Sequence, residues 1–221
     1  MLYIVATPIG NLEDITLRAI RILKEANFIF AEDTRVTRKL LNHLEIKNTV
    51  YRYDENTKMH QISNIINMLE NGNTVAIVTD AGTPCISDPG WELVDEAHKK
   101  GIKVVPIPGA SAMTAAASAA GISTRRFCME GFLPKKKGRQ TLLKKLATEE
   151  RTMIIFESPH RIEKTLKDIE TFIGVREVVI VREITKIYEE ILRGTTTELI
   201  EKLSKNPIKG EIVLLVKGTE E

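Results

Sequence analysis

The residues best suited to chemistry lie in five short stretches, each of which follows an apolar run that predicts a β-strand. Glycine lets a ligand approach the main chain, proline stiffens a turn, and Ser, Thr and Asp supply hydrogen bonds. Loops of this composition suit a polar small molecule, although one such loop alone is also typical of an ordinary turn. The five stretches are ATPIGNLED (6–14), AEDTR (31–35), TDAGTPCISDPG (79–90), PIPGASA (106–112) and FESPHR (156–161).

Several familiar kinds of site are missing from the sequence. It contains no GxGxxG, no GxxxxGK[ST], no HExxH, no GxSxG and no CxxC pattern. Three of the four histidines, His43, His60 and His98, fall on predicted helices among charged neighbours, and His160 lies within FESPHR. The sequence therefore predicts no metal site and no phosphate-binding loop of the usual kinds.

The elements that must position these loops alternate between strand and helix along almost the whole chain. This alternation predicts an α/β fold with largely parallel strands and helices on both faces of the sheet. Ligands in such folds bind beyond the carboxyl ends of the strands, where the five loops are expected. A small-residue helix over 109–121 is expected to pack on its own sheet. It is followed by a predicted boundary between an N-terminal domain, 1–122, and a C-terminal domain, 123–221, whose adjacent late strands indicate a mixed sheet.

Composition sets broad limits on class and location. The 221 residues are 43% hydrophobic and 28% charged, which is ordinary for globular protein, and the net charge of +2 does not by itself indicate a nucleic-acid partner. Cys85 and Cys128 are far apart, so neither a disulfide scaffold nor a structural zinc site is predicted. No signal peptide or membrane span is predicted, and we expect a soluble cytoplasmic protein.

The five loop motifs together resemble those of the tetrapyrrole methylase family, in particular its RNA-methylating members, and the resemblance runs from Leu2 to Gly218. It implies two α/β domains, an active-site cleft between them, S-adenosylmethionine as methyl donor, no metal, and a homodimer. The implied reaction is methylation of a cytidine 2′-hydroxyl in the decoding region of 16S rRNA, in the small ribosomal subunit.

The resemblance also assigns residues to the methyl donor, whose adenosine and methionine portions must lie against main chain. Small residues at these points have a physical reason, because a side chain would occupy the space of the ligand. The implied donor contacts are Pro8, Asp80, Ala81, Gly82, Thr83, Ile86, Ser111, Ala112, Ser158, Thr185 and Gly210.

For the methyl acceptor, the sequence offers several candidate residues. Glu32 and Asp33 are adjacent carboxylates at a predicted strand end, with Arg35 nearby, and they could position the ribose or accept its proton. Asp33 could equally cap the following helix and pair with Arg35. Glu157 is a further candidate, and no general base is singled out.

A basic run over 125–145 is the expected contact with RNA phosphates. The expected RNA-binding residues are Lys135, Lys136, Lys137, Arg139 and Arg161. A solvated basic loop without a partner is the alternative. Two other functions stay open: methylation of a carbon atom of a tetrapyrrole such as a precorrin or uroporphyrinogen, and a module that binds the donor without catalysis.

Overall fold

A computed structural model describes residues 1–219 of the protein, and these form two compact units, one from Met1 to Ser111 and one beginning at Ala112. Within these residues no helix is both long enough and apolar enough to cross a membrane. The first unit alternates strand and helix throughout. Its elements are β1 (Leu2–Val5), α1 (Leu17–Glu25), β2 (Phe28–Ala31), α2 (Thr34–His43), β3 (Val50–Arg52), α3 (Lys58–Glu70), β4 (Val75–Val78), α4 (Trp91–Lys99) and β5 (Val104–Ile107).

The five strands of the first unit form one parallel sheet in the order β3-β2-β4-β1-β5. Side chains alternate between the two faces, so that Ala76 and Val78 of β4 pack with α1 and α2, whereas Val75 and Ile77 pack with α3 and α4. Because all strands are parallel, the loops that follow β1, β2, β4 and β5 emerge at the same edge of the sheet.

The second unit is built around a mixed five-stranded sheet in the order β6-β7-β10-β8-β9. Only β6 and β7 run parallel, and the other three pairings are antiparallel. Its elements are α5 (Ala112–Ala119), β6 (Phe127–Phe132), α6 (Arg139–Leu146), β7 (Thr152–Glu157), α7 (Ile162–Phe172), β8 (Glu177–Arg182), β9 (Glu190–Thr195), α8 (Thr196–Lys205) and β10 (Ile212–Val216). The predicted α/β class, with a parallel first sheet and a mixed second one, is confirmed.

The small-residue helix α5 packs on the second sheet: Ala116, and Ala120 directly after the helix, pack with Ile154, Val179 and Val213. Sequence places this helix with the first domain, because the change to Gly121, Ser123 and Thr124 comes only after the helix. Alanine faces let a helix lie close to a sheet, but composition does not say which sheet is covered. The units accordingly divide after Ser111, whereas the boundary expected from sequence falls after residue 122.

Candidate functional site

The loop after β4 is joined to the loops after β1 and β5. Thr7 and Gly82 form a reciprocal backbone pair, with N···O distances of 2.9 Å from Thr7 to Gly82 and 3.0 Å from Gly82 to Thr7. The hydroxyl of Thr83 donates to the carbonyl of Ala110 at 3.3 Å. Three separate loops of the same sheet edge are thereby held in one arrangement.

The same central loop is also joined to the loop after β2, through two side-chain hydrogen bonds. Thr79 Oγ1 donates to Glu32 Oε2 at 3.0 Å, and the backbone N–H of Asp33 donates to Asp80 Oδ1 at 2.9 Å. Four loops that sequence analysis selected one by one are therefore linked around residues 79–83. Such a linked edge can hold a ligand without first having to be ordered by it.

Gly82 occupies a backbone conformation that strongly favours glycine. Its φ is +87°, and a Cβ at this position would stand 3.4 Å from Ile9 Cγ2 and 3.8 Å from the Ala110 carbonyl oxygen. Glycine has no steric penalty at positive φ, whereas a branched residue there is strongly disfavoured. Here the expected donor contacts differ in exposure: Pro8 and Gly82 are buried, Thr83 and Ser111 half-buried, and Asp80, Ala81 and Ile86 exposed.

Asp33 caps helix α2 and pairs with Arg35, which is the structural alternative that the sequence leaves open beside a catalytic role. Its carboxylate accepts from the backbone N–H of Arg35 at 2.8 Å and caps helix α2. It also pairs with the Arg35 guanidinium, whose side chain is 83% exposed. The hydrogen bonds from Arg35 hold the pKa of Asp33 far below its usual range, so this carboxylate is a poor proton acceptor near neutral pH.

Asp88 is a carboxylate of this edge that sequence analysis did not select as a site residue. Burial raises its pKa above the usual value of 3.8, as do the nearby charges of Glu32 and Asp80, while a hydrogen bond with Thr79 opposes the shift. Three carboxylates therefore converge near Thr79. No sequence pattern indicates that these carboxylates lie close together, because they belong to two loops that meet only in the folded sheet.

We expect Asp88→Asn to stabilise the protein at neutral pH. A raised pKa means that folded Asp88 holds its proton more tightly than unfolded Asp88. Its contribution to stability is thus present below about pH 4 and is lost as pH rises through the folded pKa. Asn does not ionise, so the variant does not lose this stability at high pH. Its melting temperature at pH 7.5 should exceed that of the wild type by roughly 1–3 °C, and the difference should vanish at pH 3.5.

The matched control is Asp95→Asn, because Asp95 is an exposed aspartate of α4 that pairs with Lys99 at 2.7 Å. It should show no gain at pH 7.5. A melting temperature of Asp88→Asn that stays below that of the wild type at every pH would contradict the assignment. Calorimetry at both pH values makes the comparison.

Helix α4 starts at Trp91, and its N-cap is Gly90. A Cβ on Gly90 would lie 2.5 Å from the Cys85 sulfur, which explains glycine there. Burial raises the pKa of Cys85 to about 11, so its thiol is protonated and unreactive at neutral pH.

In the second unit, the expected donor contacts fall at four positions of the chain. Ala112 is the first residue of α5, and Ser158 follows β7, where its N–H donates to Glu157 Oε1 at 2.8 Å. Thr185 is unusual, because it is β-branched with a φ of +68° and its buried hydroxyl has no hydrogen-bond partner among the described residues. Gly210 has a structural reason of its own, since a Cβ there would lie 2.3 Å from Glu183 Cγ.

The basic residues separate into two groups. Lys135, Lys136 and Lys137 are exposed in the loop between β6 and α6, residues 133–138, which we call the lysine loop. Arg139 is only 5% exposed and pairs with Asp168, so it is not part of the exposed surface that the sequence suggested. Arg161 is half-buried and donates to the carbonyl of Leu133 at 2.8 Å. Sequence cannot distinguish Arg139 from the three lysines, because all four lie in one basic run, whereas Arg161 lies in FESPHR.

The comparisons with known proteins extend over almost the whole chain. The family profile described as Tetrapyrrole (Corrin/Porphyrin) Methylases matches residues 1–200. The chain belongs to this tetrapyrrole methylase family. Within residues 1–219 no group of three or more His, Cys, Asp or Glu side chains is arranged to hold a metal ion.

Among curated relatives in the tetrapyrrole methylase family, the chain is 51% identical to "Ribosomal RNA small subunit methyltransferase I" of Halalkalibacterium halodurans, over all of this chain and 76% of the relative. It is 48% identical to the protein of that name from Thermotoga maritima, over 99% of each chain. The resemblance inferred from the loop motifs is confirmed.

Solved structures support the fold at much lower identity. One of a cobalamin biosynthetic enzyme, cobalt precorrin-4 methyltransferase, aligns with a TM-score of 0.70 at 22% identity, covering 98% of this chain and 94% of that one. One of diphthine synthase aligns with a TM-score of 0.76 at 16% identity, covering 98% and 89%. At such identities these structures show a shared fold alone.

Proposed function

We propose that this tetrapyrrole methylase transfers a methyl group from S-adenosylmethionine to the 2′-hydroxyl of a cytidine in the decoding region of 16S rRNA, in the small ribosomal subunit. The observation that carries the proposal is the 48–51% identity, over 99% or more of this chain, to relatives named for methylation of small-subunit ribosomal RNA. The linked loops around Gly82 and the exposed lysine loop are consistent with it.

Two features of the chain fit the proposed methyl donor. Gly82 allows the linked loops a positive φ without a side chain at their centre. Among the described residues the buried hydroxyl of Thr185 has no hydrogen-bond partner, and a polar ligand could supply one. When bound, S-adenosylmethionine supplies an activated methyl group on a sulfonium, so the protein has mainly to align donor and acceptor. We assign donor contacts as the family resemblance does: Pro8, Asp80, Ala81, Gly82, Thr83, Ile86, Ser111, Ala112, Ser158, Thr185 and Gly210.

On the acceptor side we propose a carboxylate near Thr79 as the group that accepts or orients the proton of the ribose hydroxyl. Glu32 and Asp88 both lie there, and the raised pKa of Asp88 makes it a stronger base than Asp33. Asp33 and Arg35 then act by capping α2 and by shaping the exposed rim of this edge.

The reaction can be tested with tritiated donor and small ribosomal subunits from a strain that lacks the methyl group. Nuclease mapping should place the label on a cytidine ribose of the decoding region. Label in a tetrapyrrole precursor and none in RNA would support the carbon-methylation alternative. The likeness of this chain to a solved precorrin methyltransferase structure is a likeness of fold alone. Donor binding without transfer to either substrate would indicate a binding module.

The proposed assembly and location follow from the same resemblance. We propose a homodimer acting in the cytoplasm, where small ribosomal subunits are found. Light scattering should give twice the mass of a single chain at micromolar concentration. A monomer under those conditions would contradict the dimer while leaving the proposed reaction intact.

A further inference from the structure

A buried polar network lies beneath the lysine loop, in the second unit. Its central residue is Arg139, the first residue of α6, whose guanidinium contacts three separate groups. Nε donates to Asp168 Oδ2 at 2.7 Å, Nη2 donates to Thr165 Oγ1 at 2.8 Å, and Nη1 donates to the carbonyl of Pro134 at 3.3 Å. Helix α7 is thereby attached to the first residues of the loop.

A second arginine holds the neighbouring residue of the loop. Arg161 Nη2 donates to the carbonyl of Leu133 at 2.8 Å, and its Nε lies 3.4 Å from Glu157 Oε1. Glu157 is 2% exposed and also accepts from the Thr165 hydroxyl at 2.6 Å. The carbonyls of Leu133 and Pro134, which immediately precede the three lysines, are thus both bound by guanidinium groups belonging to one connected network.

We propose that Arg139 is a positioning residue for RNA binding: it sets where Lys135, Lys136 and Lys137 stand relative to the turn after β7, and it does not itself contact RNA. The cost of burying a guanidinium is offset only when its donors are satisfied, and here three different donors are used. A planar guanidinium can reach groups in three directions at once, whereas a lysine ammonium is a single point charge. This inference rests on the proposed RNA substrate.

Asp168→Asn separates a positioning role of Arg139 from a simple effect of charge, because the two predict opposite changes in RNA affinity. The substitution removes a negative charge close to the lysine loop, so electrostatics alone would strengthen RNA binding. If Arg139 positions the loop, loss of its ion pair loosens the network and weakens binding by about tenfold, within the range of coupling energies in hydrogen-bonded networks. The control is Glu163→Gln on the same helix, whose carboxylate pairs with exposed Lys167 and lies outside the network.

Arg139→Lys provides a second, independent test. It keeps the positive charge but cannot maintain all three contacts, so we expect the same loss as for Asp168→Asn. Binding to small ribosomal subunits would be measured over a series of salt concentrations, donor binding by calorimetry, and folding by thermal unfolding. The KM for the subunit should rise by about tenfold, in line with the weakened network, while kcat and donor affinity stay at the wild-type level.

Wild-type affinity in either Asp168→Asn or Arg139→Lys would overturn the inference. Parallel loss of donor and RNA binding would also overturn it, because that pattern indicates general destabilisation of the unit. If the wild-type protein does not bind small ribosomal subunits, that result would contradict both the proposed function and this inference. Weak binding by both network variants, with Glu163→Gln unchanged or tighter, is the expected result.

Discussion

Replacing Gly82 by valine is expected to abolish binding of the methyl donor while the protein remains folded. Gly82 has a φ of +87° and shares two backbone hydrogen bonds with Thr7. A β-branched side chain at this φ is strained and would crowd Ile9 Cγ2, which lies 3.4 Å from the position of a Cβ. We expect donor affinity to fall at least about 100-fold, or about 2.7 kcal/mol, in isothermal titration calorimetry.

Gly72→Val is the matched control for this experiment. Gly72 has a similar φ of +83° at the end of α3, but a Cβ there would meet no atom within 4 Å. Both variants therefore carry comparable backbone strain, and only Gly82→Val alters the linked loops. Donor binding that survives in Gly82→Val would mean that residues 79–83 form an ordinary turn. Equal loss in both variants would attribute the effect to global stability.

Removing the three exposed lysines together is expected to weaken RNA binding without changing donor binding. Lys135→Ala/Lys136→Ala/Lys137→Ala deletes three charges from the lysine loop and leaves the buried Arg139 network in place. If each lysine neutralises one phosphate of single-stranded RNA, the slope of log affinity against log salt should fall by about 2. Affinity at physiological salt should drop by on the order of tenfold or more.

The control for the lysine loop is Lys202→Ala/Lys205→Ala/Lys209→Ala, which removes three exposed lysines elsewhere in the second unit. The change in net charge is the same in both variants, so any difference between them reports the location of the RNA contact. Identical salt slopes for the two triple variants would refute the lysine loop as that contact. A loss of donor affinity in the lysine-loop variant would also count against it.

The sequence by itself predicts those features of the protein that depend on residues close together along the chain. Alternating strand and helix patterns depend on residues a few positions apart, which is why the α/β class and the mixed second sheet could be read directly. The loops around Gly82 were recognisable for the same reason, because glycine, proline and small hydroxyl residues act through the backbone of their own turn. Their order along the chain also identified the family.

Only the tertiary structure decided which loop residues meet and which basic residues are exposed. Asp80 accepts from the backbone of Asp33, and Thr79 donates to Glu32, across 47 positions of sequence. Burial, together with the nearby charges of Glu32 and Asp80, raises the pKa of Asp88. Arg139 lies two residues beyond exposed Lys137 yet is buried against Asp168. The physical reason is that burial and charge pairing depend on neighbours supplied by distant elements, whereas composition and periodicity describe only neighbours along the chain.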